Sequence, residues 1–171
     1  MYLQSRGPAM TVRFRRLLAA TTGLTFALIL LGVYTGAVGA GLTCAGRWPF
    51  CDGWLGLFPA NWMSFVEWFH RFVAMITGFM ILGSAVAAWR GEYATRIRYA
   101  TGVALAVLPV QVLLGANTIF NFGAVAQVLH HAAALTILTA LVAGTAWAYT
   151  DVGADSGRVA ADAGTTASAD D

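Results

Sequence analysis

The sequence predicts an all-α integral membrane protein, a four-transmembrane-helix bundle with both termini in the cytoplasm. Three observations carry that prediction. Of 171 residues, 58% are hydrophobic and only 11% are charged. Four apolar stretches are each long enough to cross a hydrocarbon core of about 30 Å. The arginines gather at alternate ends of those stretches, as the positive-inside rule requires of cytoplasmic segments.

A basic segment, residues 1–16, comes first, with Arg13, Arg15 and Arg16 just ahead of the first span. No small-residue cleavage site follows a short apolar core, so the first span is read as retained. The spans are expected at 17–39, 63–89, 99–118 and 124–149, and together they form one bundle over 17–149. Arg90, Arg96 and Arg98 fill the connection between spans two and three, which places it inside. The first loop carries the single Arg47 and the third carries no charge, so both face outward. The cysteine loop thus lies on the outer face of a multi-pass protein of the cell membrane.

Residues 150–171 hold five aspartates among Ala, Gly, Ser and Thr, with Arg158 the only basic residue. That composition reads as an acidic, disordered, cytoplasmic tail. All ten basic residues are arginine, which fits either a salt-rich cytoplasm or a GC-rich genome. The expected surroundings are lipid, and no nucleic-acid partner is expected.

Polar residues inside the spans fall at one depth. His70 lies about seven residues into span two, and His130 and His131 six or seven into span four, roughly 10 Å below the outer surface. Gln111 of span three and Tyr34 of span one come to the same level, so four helices converge on one polar layer. The inner halves carry only Ser, Thr and Gly, which helices satisfy through their own carbonyls. Chemistry is therefore expected near the outer leaflet.

A carboxylate, an imidazole and a guanidinium in the run Glu67–Arg71, inside a membrane helix, ask for a functional explanation. Two histidines on separate helices at one level can hold a metal between them, and an apolar bundle suits a flat haem with axial imidazoles. His130 and His131 differ by about 100° around the helix, so only one can point inward. The competing reading has these histidines hydrogen-bonded across helices, to carbonyls or to Gln111. A non-haem metal is less favoured, because zinc or iron sites want further ligands and only Glu67 is near.

Glu67 and Arg71 stand at i and i+4 in the favourable order for an ion pair. Glu67 and His70, at i and i+3, share a face, so the carboxylate could equally serve a haem edge in proton transfer. Cys44 and Cys51 are the only cysteines and sit in the outward loop with Gly46 and Pro49. A disulfide is the natural pairing in an oxidising compartment, either stapling the loop or relaying electrons. Gly32 and Gly36 read as a small-residue step for close helix contact.

Taken together, these residues resemble the haem A synthase family. The loop Cys44–Gly53, with Trp-Pro ahead of the second cysteine, then Pro59, the run Glu67–Arg71, Ala74 and Gly78 follow its pattern. Gln111, Leu114, Gly115, Thr118 and Ile119 are similar to its third signature, and His130 with Ala134 to its fourth; His131 with Leu135 fits less well. The resemblance covers about residues 20–145.

It implies oxidation of the methyl at position eight of haem O to a formyl group by successive hydroxylations, making haem A for a terminal oxidase. Haem O would be substrate and haem b cofactor. His70 and His130 would be axial ligands, with His131 the alternative. Arg71 and Gln111 would assist haem binding, Glu67 would be the catalytic carboxylate, and Cys44–Cys51 a loop disulfide. Family members mostly have eight spans in two similar halves, so a four-span chain implies a homodimer. Haem O synthase and an external electron donor are the other expected partners. The rivals are a bis-histidine b-type cytochrome passing electrons, and a haem carrier or assembly factor.

Overall fold

The computed structural model describes residues 11–167. It is an antiparallel bundle of four helices: α1 Val12–Ala37, α2 Trp62–Arg90, α3 Thr95–Phe120 and α4 Ala124–Ala167. All four are long and apolar enough to span a membrane, the last over Ala124–Thr150. Around the bundle, α1 packs on α2 and α4, and α3 packs on α4 and α2. The expected four-span architecture is borne out.

The ends differ from expectation for identifiable reasons. Thr11 caps α1 by accepting from the Phe14 amide at 3.2 Å, which starts the helix five residues early. Arg13, Arg15 and Arg16 consequently lie within its first turns. At its far end, Gly39 takes φ +75°, a left-handed conformation glycine adopts without strain, and turns the chain into short 3-10 turns at Ala40–Leu42 and Cys44–Gly46. Asn61 caps α2, its side chain accepting from the Ser64 amide at 3.0 Å.

The first ten residues of the expected basic segment lie outside the described residues. The acidic tail continues the α4 backbone as helix to Ala167. Its frequent alanines have the highest helix propensity, and a helix already formed in the membrane needs no new nucleus to extend.

Two ends of the bundle have different interiors. At the end where α1 starts, Phe14, Leu18, Ile81, Ala88, Tyr93, Ile97, Ala104, Ile137, Leu141 and Ala148 pack as one apolar cluster. Phe14 and Tyr93 stack with centroids 4.3 Å apart. Arg15, Arg96 and Arg98 lie 5.3, 5.7 and 5.7 Å from the rings of Tyr149, Trp147 and Trp89. A belt of basic and aromatic side chains is what a membrane interface selects. We call this the basic end and the opposite one the cysteine end.

Lipid offers no hydrophobic reward for helix association, so packing and interhelical hydrogen bonds hold the bundle. Thr22 and Thr145 hydroxyls meet at 2.8 Å across α1 and α4, and Thr21 and Ser84 at 3.0 Å across α1 and α2. The hydroxyls thus do more than satisfy their own helices, as the sequence reading had it. At Gly144 a β-carbon would stand 3.3 Å from that of Ala100, so α3 and α4 touch closely there.

Candidate functional site

Towards the cysteine end the interior changes character: among the described residues the buried apolar cluster does not continue there, and polar residues lie in its place. His70 projects from α2 against α1, and His130 from α4 against α3. A β-carbon built on Gly32 would lie 3.0 Å from His70 Cε1, and one on Gly115 would lie 3.1 Å from His130 Cε1. Each imidazole therefore rests on a glycine of its neighbouring helix. The Nδ1 atoms of both are buried and have no hydrogen-bond partner.

Gln111 is brought to the same place from α3. Its Nε2 lies 3.3 Å from His130 Nε2, and its buried Oε1 has no partner. The cross-helix hydrogen bond that competed with ligation in the sequence reading is therefore present at His130. His131 is turned away: its ring meets that of His130 edge-on, centroids 6.0 Å apart, and its Nδ1 bonds the Gln127 carbonyl of its own helix at 2.7 Å. Of the adjacent pair, His130 is the one directed at α3.

Tyr34 does not join this layer. It is 48% exposed on the outside of α1, because a lipid-facing surface is as apolar as the interior and sequence depth alone fixes no direction around the helix.

Glu67 is 5% exposed, and Arg71 Nε donates to its Oε1 at 2.8 Å, so the expected i,i+4 pair forms. Arg71 does more than neutralise. Its Nη1 donates to the carbonyls of Arg47, Pro49 and Phe50 at 2.9, 3.2 and 2.8 Å. One guanidinium thus joins the buried carboxylate on α2 to three backbone acceptors of the cysteine loop. Backbone carbonyls carry no residue-type signature, and nothing in the sequence announced this clamp.

Cys44 and Cys51 are bonded as expected and both are fully buried. Their sulfurs lie 4.0 and 3.6 Å from the Ser64 carbonyl oxygen in the first turn of α2. Asp52 makes a second tie, accepting from the Ser64 hydroxyl at 2.7 Å and from the Ala60 amide at 3.3 Å. The two sulfurs with Asp52 could be mistaken for a metal cluster, but sulfurs bonded to each other offer no thiolate. The loop, closed on itself by the disulfide, is a lid tied to α2 by Asp52 and by Arg71, which also holds Glu67.

The donor set suits haem. Two imidazoles from two helices, each seated against a glycine, carry buried Nδ1 atoms without a hydrogen-bond partner. The nearby carboxylate is already occupied by Arg71, which leaves a small metal only the two nitrogens.

Comparison with known proteins gives the family. The sequence model of the COX15-CtaA family, described as cytochrome oxidase assembly protein, matches residues 4–142. A protein of Halobacterium salinarum named protoheme IX farnesyltransferase is 37% identical over 137 residues, covering 79% of this chain and 29% of that protein. One of the same name from Natronomonas pharaonis is 34% identical, covering 80% and 28%. The heme A synthase of Bacillus licheniformis is 31% identical over 131 residues, covering 71% and 42%. The chain spans less than half the length of these relatives. The resemblance to haem A synthases read from its motifs is borne out, and the chain belongs to the COX15-CtaA family of cytochrome oxidase assembly proteins.

Proposed function

We propose that this chain is a haem A synthase, which oxidises the methyl group at position eight of haem O to the formyl group of haem A. The observation that carries the reading is the pair of imidazoles, His70 and His130, seated on Gly32 and Gly115. In this reading His70 and His130 would hold a haem, substrate haem O in one copy of the chain and, in a second copy, a haem b that would supply a redox-active iron. Gln111 holds the His130 ring in place, and His131, bonded to its own helix, takes no part. Glu67 stands at the reacting edge, where a carboxylate can hold or move a proton released from the substrate. Arg71 fixes that carboxylate and closes the loop above it, and the buried Cys44–Cys51 disulfide keeps the loop short and excludes water.

One four-helix bundle offers one such pair of histidines, whereas a reaction on a haem assisted by a second haem needs two sites. This supports a homodimer in the cell membrane, with the basic end in the cytoplasm and the cysteine loop outside. The farnesyl tail of the substrate can lie in the surrounding lipid. Electrons come from an external donor. The haloarchaeal relatives are named for protohaem farnesylation, and haem O synthase is the expected supplier of substrate.

Farnesyl transfer itself is disfavoured for this chain by its own residues. A diphosphate leaving group is ordinarily held through magnesium and carboxylates, and the one acidic side chain in the described membrane interior, Glu67, is paired with Arg71. The test is mass analysis of haems extracted after co-expression with a haem O producer in a host lacking haem A. Hydroxylated haem O or haem A supports the synthase. Haem O or haem b bound unchanged would instead establish a carrier or a b-type cytochrome.

A further inference from the structure

The two glycine–histidine contacts match to a degree that helix packing alone does not require. A β-carbon at Gly32 would lie 3.0, 3.7 and 3.7 Å from Cε1, Nδ1 and Nε2 of His70. At Gly115 the distances to the same atoms of His130 are 3.1, 3.6 and 3.9 Å. In both hairpins the ring therefore points its Cε1 edge at the glycine, with the two nitrogens disposed almost evenly to either side. Separations of 3.0 and 3.1 Å are tighter than nine in ten real β-carbon contacts, so a methyl group at either position requires the ring to give by a few tenths of an ångström. Other glycines of α1 are not in this situation, since Gly23 and Gly36 have nothing within 4 Å of such a carbon.

We infer that Gly32 and Gly115 are positioning residues, each setting the orientation of the histidine ring on the neighbouring helix and so the axis along which that ring presents its nitrogen. The consequence for haem rests on the functional reading above; the effect on the rings does not. An imidazole ligand is normally oriented by a hydrogen bond from its second nitrogen to a carbonyl or carboxylate. Here Nδ1 of both histidines is buried without such a partner; the glycine seat takes over that orienting role at His70, and at His130 it acts together with the Gln111 contact at Nε2. Both rings are held this way, so the constraint acts from both sides of whatever lies between them. Gly32 had been read from its spacing to Gly36 as a helix-contact step; the structure separates the two, because only Gly32 meets a side chain.

The experiment compares wild type with Gly32→Ala, Gly115→Ala and, as control, Gly36→Ala, each purified in detergent with helicity checked by circular dichroism. In the haem-free protein, the ring Cε1–H resonance of His70 should move in Gly32→Ala alone, that of His130 in Gly115→Ala alone, and neither in Gly36→Ala. After addition of ferric protohaem, the wild type should give a six-coordinate low-spin spectrum. The two cradle variants should shift the low-spin resonance signal and bind haem roughly 10–100-fold more weakly, the usual effect of losing a ligand-orienting contact. Ring resonances unmoved by the cradle substitutions, or moved equally by Gly36→Ala, overturn the inference. Moved resonances with a wild type that binds no low-spin haem would sustain the cradles and sink the haem reading. If an alanine variant fails to fold, the wild type carries the test: cross-relaxation between the ring Cε1–H of His70 and the Gly32 α-protons, and between that of His130 and the Gly115 α-protons, should be strong, and its absence overturns the inference.

Discussion

Replacing Arg71 with methionine removes one guanidinium and should produce two separable effects. The first concerns Glu67, whose side chain is 7% exposed beside an arginine that is 14% exposed. Breaking a buried ion pair from one side typically costs about 3–5 kcal/mol, because the remaining charge is left without a partner. The second concerns the loop. Three carbonyls lose a charged donor, and hydrogen bonds to charged groups contribute roughly 1.5–3 kcal/mol. They share a single Nη1 and lie at the exposed end of the bundle, where water can replace it, so about 2 kcal/mol for the set is a fair figure.

Because both cysteine sulfurs are fully buried, a soluble thiol reaches the disulfide only when the loop lifts. Lowering the cost of lifting by about 2 kcal/mol should speed reduction roughly 30-fold. The assay is the rate of Cys44–Cys51 reduction by a membrane-impermeant thiol, followed by maleimide trapping, alongside thermal unfolding in detergent. Glu67→Met should leave reduction near the wild-type rate, since the guanidinium still holds the carbonyls. Combining it with Arg71→Met should recover much of the lost thermal stability, because no unpaired charge remains, but not the slow reduction. Were Arg71→Met reduced no faster than wild type, or Glu67→Met accelerated as much, the clamp would be wrong. Were the double variant as unstable as Arg71→Met alone, the buried pair would not be the source of the cost.

Three further outcomes follow from the same geometry. Removing the disulfide by Cys44→Ser with Cys51→Ser opens a short loop and should cost about 2.5 kcal/mol in thermal unfolding, while haem stoichiometry holds because Asp52 and Arg71 still retain the loop. Thr22→Val removes the hydroxyl contact to Thr145 and should cost roughly 0.6 kcal/mol in a membrane; Thr136→Val, whose hydroxyl bonds only the Ala132 carbonyl of its own helix, should cost less. His131→Ala should keep the low-spin haem spectrum and His130→Ala should lose it, checked by absorption of the purified protein loaded with haem.

The parts of the fold that were legible in the sequence are those with a local signature. Four spans follow from apolar length, the disulfide from the only two cysteines, and the Glu67–Arg71 pair from its spacing. Direction around a membrane helix was not legible, since both the lipid side and the interior accept apolar residues; Tyr34 was placed at the right depth and on the wrong side. Contacts to backbone also left no trace, which hid the clamp from Arg71 to the loop carbonyls. Gly115 was visible only as part of a motif, and its contact with His130 required both α3 and α4 to be in place. The choice between His130 and His131, which geometry on a single helix left open, turns on the Gln127 carbonyl that engages one ring and leaves the other to face α3.

The two hairpins of the bundle are alike in their glycine–histidine seats and unlike in everything above them. Over the α1–α2 hairpin stands a disulfide-closed loop with Glu67 and Arg71 beneath it. The α3–α4 hairpin turns within Asn121–Gly123 and brings only Gln111, an uncharged amide, to its histidine. A flat group held by the two imidazoles would therefore meet an asymmetric surrounding, with the Glu67–Arg71 pair on the α2 side and, among the described residues, no carboxylate beside His130 on the α4 side. Charge that develops during an oxidation is steadied best where a fixed carboxylate and a water-excluding lid already stand. The reacting methyl is thus expected at the edge facing Glu67, with the α3–α4 side serving to hold the opposite ligand. Glu67→Gln should accordingly leave haem content unchanged and stop the oxidation, with haem O accumulating; loss of bound haem in that variant would assign the carboxylate to binding instead of chemistry.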